Sequence, residues 1–277
     1  MFGPDILART MSEPADPTKY GIRWQYHSRS DRHGKVASWG VAFDLLRSSS
    51  VMRQHARDGK IVLGVNLKLS DFETKKSKVL DLVIARPGGA ATSARGESLV
   101  SLAQRYNMNL SGEEMGELTS LPDIPVAPVG SVLVALEAKA TMTAHVKSLP
   151  RLHDELTSSH ISVHGESQTA LAIGYAQVNV ADVFVSSNPA NVERIHLGQE
   201  PVVTSHKQPG DCQRVLDTLN TLRTRSSSIG IGFDAIGVTV LDLRNDDSPV
   251  KVVHSRPAPQ PGDAFLYDSM IMRMATC

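Results

Sequence analysis

The chain has 277 residues, and its 29 basic and 29 acidic side chains give a formal net charge of zero, so any binding of nucleic acid requires a local basic surface. Hydrophobic residues make up 41% and charged residues 21% of the chain, which excludes a wholly disordered or fibrous protein. The only cysteines, Cys212 and Cys277, exclude a disulfide framework and a cysteine-rich zinc site.

The first half of the chain predicts an arm, a helix and two strands. Residues 1–30 contain three prolines and little periodicity, as in an N-terminal arm. Apolar residues at spacings of three and four predict an amphipathic helix over 35–46. Residues 61–69 and 78–85 have the pattern of neighbouring strands, and the polar, lysine-rich residues 70–77 are typical of a hairpin loop.

The middle of the chain predicts an insertion followed by a strand–helix–strand unit. Residues 90–128 contain a short helical pattern at 96–106 and a proline-rich run, so they form the predicted insertion. Residues 129–140 are the strongest strand pattern in the chain, and a helix is predicted over 143–158. A second apolar run, at 170–178, predicts a strand beside the first after the helix crosses over.

The last part of the chain completes an α/β pattern. Helices are predicted over 211–224 and 263–274, and a strand over 235–243. The Gly-x-Gly at 230–232 lacks the third glycine of a dinucleotide loop and is interpreted as a turn. The predicted fold class is α/β, with a mixed central β-sheet flanked by helices, and residues 31–277 form a single domain.

Charged residues interrupt two of the apolar strands. Glu137 and Lys139 lie two residues apart near the end of the strongest strand, so their side chains share one face. Asp81 interrupts the earlier strand, and if the two strands are neighbours, its carboxylate meets that of Glu137 around one cation. Buried charges are costly unless they are paired or bind a metal, and oxygen ligands suit magnesium. Lys139 is placed to orient or deprotonate a water, or to stabilise charge on a phosphate.

This arrangement resembles the PD-(D/E)xK nuclease superfamily, which includes type II restriction endonucleases. Its pattern is a helix, a strand with an aspartate, and a strand bearing Glu-x-Lys, which Asp81, Glu137 and Lys139 match, although Leu80 stands where the pattern has proline. The resemblance covers roughly residues 35–185 and implies a restriction-endonuclease-like fold. It also implies hydrolysis of double-stranded DNA with Mg²⁺, for which Mn²⁺ can substitute, to 5′-phosphate and 3′-hydroxyl ends, usually by a homodimer.

Basic residues follow the Glu-x-Lys strand and are candidates for contact with substrate. His145, Lys147 and Arg151 lie on the next predicted helix, where they can touch phosphates. The competing interpretation is a solvated helix face. Asp44, on the first predicted helix, is a weaker candidate for the metal site.

Three histidines form a cluster in sequence, at His153, His160 and His164. The last two would share one face of a helix and permit a transition-metal site. The residues around Ser162 are typical of a loop, which favours a structural or substrate-contacting role over zinc.

Two other classes of function remain open. The same charges can serve as an ion pair in a DNA-binding or assembly protein that has the nuclease fold without catalysis. Alternatively, the chemistry can belong to a non-specific DNA-degrading effector or a repair nuclease. No phosphate-binding Gly-x-x-x-x-Gly-Lys-Ser/Thr loop occurs, so no nucleotide cofactor is expected. The sequence has no signal peptide and no apolar run of about 18 residues, so we expect a cytoplasmic protein with no membrane partner.

Overall fold

The structure is a computed structural model that describes residues 1–70, 77–89, 96–226 and 230–277. The helices are α1 Gly3–Ser12, α2 Arg32–Ser48, α3 Ser50–Arg57, α4 Leu99–Arg105, α5 Gly112–Ser120, α6 His145–Glu166, α7 Pro189–His196, α8 Gly210–Leu219 and α9 Tyr267–Ala275. The strands are β1 Asp16–Pro17, β2 Arg23–Trp24, β3 Val62–Ser70, β4 Ser77–Pro87, β5 Val129–Thr141, β6 Leu171–Asn179, β7 Val183–Val185, β8 Val203–Ser205, β9 Ala235–Asp242 and β10 Lys251–Val252.

Six strands form a central mixed sheet in the order β10-β9-β6-β5-β4-β3. Strands β3, β4 and β5 are antiparallel neighbours, whereas β5, β6 and β9 run parallel to one another. Helix α6 connects β5 to β6, so the predicted strand–helix–strand unit is confirmed. The predicted mixed α/β class is also confirmed, and two small two-stranded sheets, β1-β2 and β7-β8, lie outside the central sheet.

Helices cover both faces of this sheet. Helix α2 forms where Val36, Trp39 and Phe43 recur at helical spacing, and all three side chains are fully buried. It packs with α1 and α9 on one face, and α6 and α8 pack together on the other. The sheet is therefore buried on both sides, which explains why β5 and β6 are almost continuously apolar. Within the described residues, no helix has both the length and the apolar character needed to cross a membrane.

Several helices differ from the sequence prediction. The N-terminal arm contains α1, whose Ile6 and Leu7 are completely buried in the core. Between the predicted short helix and the proline-rich run lies a helix that was not predicted, α5, where Ser111 and Glu114 make a reciprocal capping box. Helix α6 continues through Pro150 and ends at Glu166, eight residues beyond the predicted end at 158. The predicted hairpin loop and the start of the predicted insertion lie largely outside the described residues, at 71–76 and 90–95.

Candidate active site

The candidate site lies where β4 and β5 approach α2 and α6. At one end of the pairing between β4 and β5, Leu82 lies opposite Leu136. Asp81 and Glu137 are the next residues along the two strands. There Asp81 Oδ2 accepts a hydrogen bond of 3.0 Å from the backbone N–H of Ala138. The antiparallel register therefore brings together two residues that are far apart in sequence, as the pattern predicts.

Glu137 is a buried carboxylate with an uneven environment. Its side chain is 3% exposed, and its Oε1 lies 2.7 Å from the ammonium of Lys139 and 3.4 Å from that of Lys78. Its Oε2 has no hydrogen-bond partner within the described part of the chain. Such an oxygen is costly to bury without a partner, so Oε2 is a candidate ligand for a cation.

Charge and burial set the protonation of the site. Burial, together with the nearby charge of Glu137, raises the pKa of Asp81 to about 6, although the Ala138 N–H opposes this. For Lys139, burial disfavours the ammonium, but the Glu137 carboxylate outweighs burial and the pKa of Lys139 is raised. Lys139 is therefore a cation at neutral pH in this structure. It is suited to orienting a water or stabilising negative charge rather than to accepting a proton.

Helix α6 adds charged contacts to Lys139 and Lys78 that the sequence pattern did not predict. Glu155 Oε2 lies 3.5 Å from Lys139 Nζ, and its Oε1 lies 2.6 Å from Arg151 Nε. Lys78 donates to the backbone carbonyl of Glu155 at 2.5 Å and to Ser158 Oγ at 3.1 Å. Lys78 thus links β4, β5 and α6. In the sequence it stands only as a polar residue at the start of β4.

An open cavity of about 420 Å³ makes Asp81 and Lys139 accessible, whereas the buried Glu137 does not line it. Asp81, Lys139 and Arg151 line it together with Tyr26 and His33 from the segment that leads into α2 and from its first turn. The His33 and Tyr26 rings are 5.0 Å apart, and burial and then the charge of Lys139 lower the pKa of His33 to about 4. His33 is thus a neutral imidazole at neutral pH. Neither residue carried a signal in the sequence, because the tertiary fold alone places this segment over the sheet.

The three basic residues predicted to touch substrate occupy different positions. Arg151 is exposed and lines the cavity. Lys147 is exposed on the same helix, α6. His145 is 2% exposed, and its Nε2 lies 2.8 Å from the Asn179 carbonyl oxygen. The structure therefore brings only Arg151 to the cavity that contains Asp81 and Lys139.

Asp44 lies away from the cavity. It is at the far end of α2, ten residues beyond Gly34, which lines the cavity, and so roughly 15 Å further along the helix axis. Its carboxylate accepts hydrogen bonds from the backbone N–H groups of Phe2 and Gly3 and from the Tyr267 hydroxyl. Asp44 is therefore placed to fasten α1 and α9 to α2.

The histidine cluster lies on a single helix, because α6 extends past Ser162. His160 and His164 are both buried, whereas His153 is partly exposed. His164 Nε2 lies 2.7 Å from the Gly232 carbonyl oxygen, and neither ring nitrogen of His160 has a hydrogen-bond partner in the described residues. This places the pair in the packing between α6 and the loop before β9.

Replacing His160 with phenylalanine should make the protein more tolerant of acid. Burial, and then positive charge on His164, Arg223 and His153, lower the pKa of His160 to about 4, below the unfolded value near 6.5. The neutral ring supports the fold at high pH, and this support is lost as pH falls from 6.5 towards 4. Phenylalanine cannot be protonated and can keep the edge-on contact with Phe233, at 5.0 Å.

The measurement is the free energy of unfolding of both proteins at pH 8 and pH 5. The loss between the two pH values should be smaller by about 2 kcal/mol in His160→Phe. His254→Phe, at an exposed histidine, is the control. Equal losses in wild type and His160→Phe would show that His160 is not held neutral.

The residues present fit a divalent cation bound by oxygen. Across the described residues, no three histidine, cysteine or acidic side chains converge as a metal-binding group, so the protein donors are the carboxylates of Asp81 and Glu137. A cation would give the Glu137 Oε2 a partner. It would also favour the ionised carboxylate of Asp81, whose pKa is raised in its absence. Two carboxylates, with other positions left to water and phosphate, match the preference of magnesium.

No protein-family model, curated protein or solved structure matches this chain.

Proposed function

We propose that this protein is a magnesium-dependent nuclease that hydrolyses phosphodiester bonds of double-stranded DNA. The observation that carries the proposal is the convergence of Asp81, Glu137 and Lys139 at adjacent positions on neighbouring strands, where Asp81 and Lys139 line an open cavity. Asp81 and Glu137 would hold the Mg²⁺ or Mn²⁺ ion. When bound, the ion polarises a phosphate and lowers the pKa of a water.

The side chains around the proposed cation have different roles in catalysis. Lys139, protonated and held by Glu137, stabilises negative charge that develops on the phosphate and orients the attacking water. Arg151, exposed at the cavity, offers a second cation to the DNA backbone. Glu155 contacts both cations and keeps them at the cavity edge.

The order of elements also supports the proposal. Helix α2 is followed by β4, which carries Asp81, and then by β5, which carries Glu137 and Lys139. This is the order on which the resemblance to PD-(D/E)xK nucleases depends. The homodimer, the restriction-type role and the cytoplasmic location are further parts of the proposal that follow from the resemblance and the composition.

A second function is favoured by the same ion pairs. Because Glu137 Oε1 already contacts Lys139 and Lys78, the charges can stabilise the end of the sheet without any metal. The protein would then be a DNA-binding or assembly protein. Metal-dependent cleavage distinguishes this function from the first.

The deciding experiment is incubation of the full chain with supercoiled plasmid and Mg²⁺, followed by gel electrophoresis. We expect cleavage that EDTA and Lys139→Ala each abolish, and Lys251→Ala, at an exposed lysine on the edge strand β10, is the control. No cleavage, or cleavage that survives Lys139→Ala, would favour the binding protein. Discrete bands would indicate a restriction-type enzyme, and a smear a degradative effector.

A further inference from the structure

A second cavity, of about 530 Å³, lies beside the candidate active site. The two cavities share three lining residues, Tyr26, Ser28 and Thr143. The second cavity is otherwise formed by the segment before α2 and by the chain from the end of β7 into α7. A ligand that fills it would therefore lie next to the cavity that Asp81 and Lys139 line.

The lining of the second cavity combines apolar, hydrogen-bonding and cationic groups with one acid, Glu193, which accepts a hydrogen bond of 3.1 Å from the Tyr20 hydroxyl. Phe184 and Val192 form an apolar wall, and Ser187 and Asn188 add a hydroxyl and an amide. Arg29 is exposed at the cavity, and its guanidinium forms no ion pair or hydrogen bond within the described residues. Apolar walls with a few polar groups and a free cation suit a base and its phosphate.

The shared wall carries an unused hydrogen-bonding group. Tyr26 is 8% exposed, and its hydroxyl has no hydrogen-bond partner in the described residues. Burial raises its pKa to about 12, so the hydroxyl remains a neutral donor. A hydroxyl at the junction of the two cavities is placed to contact a ligand that passes from one to the other.

The size of the second cavity selects among nucleic-acid ligands. It lies within the range of about 300–1,000 Å³ that is typical of small-molecule sites, which accommodates one nucleotide. A paired nucleotide cannot enter it, because its base is stacked and bonded inside the duplex. An unpaired nucleotide can enter, with its backbone continuing into the first cavity.

We propose that the second cavity binds one unpaired nucleotide next to the phosphodiester bond to be cut. The preferred substrate of this site is then double-stranded DNA with an unpaired nucleotide beside the bond to be cut, in an overhang or in a locally unwound segment of a supercoiled duplex. This inference rests on the proposed nuclease function and specifies its substrate class.

The test measures binding separately from cleavage. Fluorescein-labelled duplexes of one sequence, either blunt or carrying a four-nucleotide 5′ or 3′ overhang, are titrated with the full chain in Ca²⁺, and anisotropy gives the dissociation constants. Arg29→Gln removes the free cation, and Ser187→Trp fills the cavity. Arg57→Gln, at an exposed arginine on α3, is the matched control.

We expect wild type and Arg57→Gln to bind one overhang at least tenfold more tightly than the blunt duplex. Arg29→Gln and Ser187→Trp should reduce this preference to less than threefold and leave the blunt affinity almost unchanged. Equal affinities in wild type, or a preference that survives both variants, would overturn the inference. Mg²⁺-dependent cleavage without this preference would leave the nuclease function intact, whereas a preference without cleavage in Mg²⁺ would contradict the nuclease function alone.

Discussion

Replacing Asp81 with asparagine is expected to abolish Mg²⁺-dependent cleavage and, at the same time, to make the protein more stable. The loss of cleavage should reach about a thousandfold or more, because one of two proposed metal ligands loses its charge. The gain in stability follows from the pKa of Asp81, which burial and Glu137 raise from 3.8 to about 6. The folded state therefore disfavours the ionised carboxylate, and asparagine removes that cost while its oxygen can still accept the Ala138 N–H.

The gain in stability has a defined size and pH dependence. A shift of about two pKa units corresponds to at most about 3 kcal/mol at pH 8. The difference between the proteins should shrink as pH falls through 6 and vanish below about 4, where the carboxyl group is protonated in both states.

Chemical denaturation in EDTA at pH 8 and pH 4 measures the stability change, and plasmid cleavage measures the activity. A variant that is less stable at pH 8 would show that Asp81 stabilises the sheet end. A variant that still cuts would remove Asp81 from the proposed site.

The second large effect is expected at Asp44, through stability rather than activity. Its side chain is fully buried, and Asp44→Ala would leave the N–H groups of Phe2 and Gly3 and the Tyr267 hydroxyl without their acceptor. Removing one partner of a buried charge network costs about 3–5 kcal/mol. The guanidinium of Arg47, 3.3 Å from Asp44, would also lose this ion pair and keep only the one with Glu117 at 3.4 Å.

Equilibrium unfolding in denaturant should therefore show a loss of about 3–5 kcal/mol for Asp44→Ala. Asp44→Asn, which keeps the shape and one acceptor oxygen, should lose less. Asp154→Ala, at a side chain that is 84% exposed, is the control and should change stability by less than about 0.5 kcal/mol. A loss as small as that of the control would mean that α1 is not held by Asp44.

Local periodicity was sufficient to predict the elements that carry the candidate catalytic residues. Strands β4 and β5 are apolar on both faces because helices cover the sheet on both sides, so their charged residues stand out in the sequence. The same reasoning identified α2 and the crossover from β5 to β6. Asp81, Glu137 and Lys139 were therefore predictable, because each is a local exception to a strong pattern.

The parts that sequence reasoning missed depend on contacts between distant residues. Helix α1 is held by the hydrogen bond from the Gly3 N–H to Asp44, which lies 41 residues away. No local sequence pattern predicts a hydrogen bond over that distance. Lys78 looks like the polar start of a strand until α6 is placed beside it. Tyr26 and His33 reach the cavity because the segment before α2 folds across the sheet, which is likewise a property of the tertiary structure.

The central claim is that Asp81 and Glu137 form a divalent-cation site, and electron paramagnetic resonance of Mn²⁺ tests it most directly. The signal of free Mn²⁺ falls when protein binds the ion, so titration of the full chain gives the number of ions bound. We expect one site in wild type and in Asp31→Asn, a control that lines the same cavity, and none in the double variant Asp81→Asn with Glu137→Gln. Equal binding by the double variant, or no binding by wild type at millimolar Mn²⁺, would contradict the account.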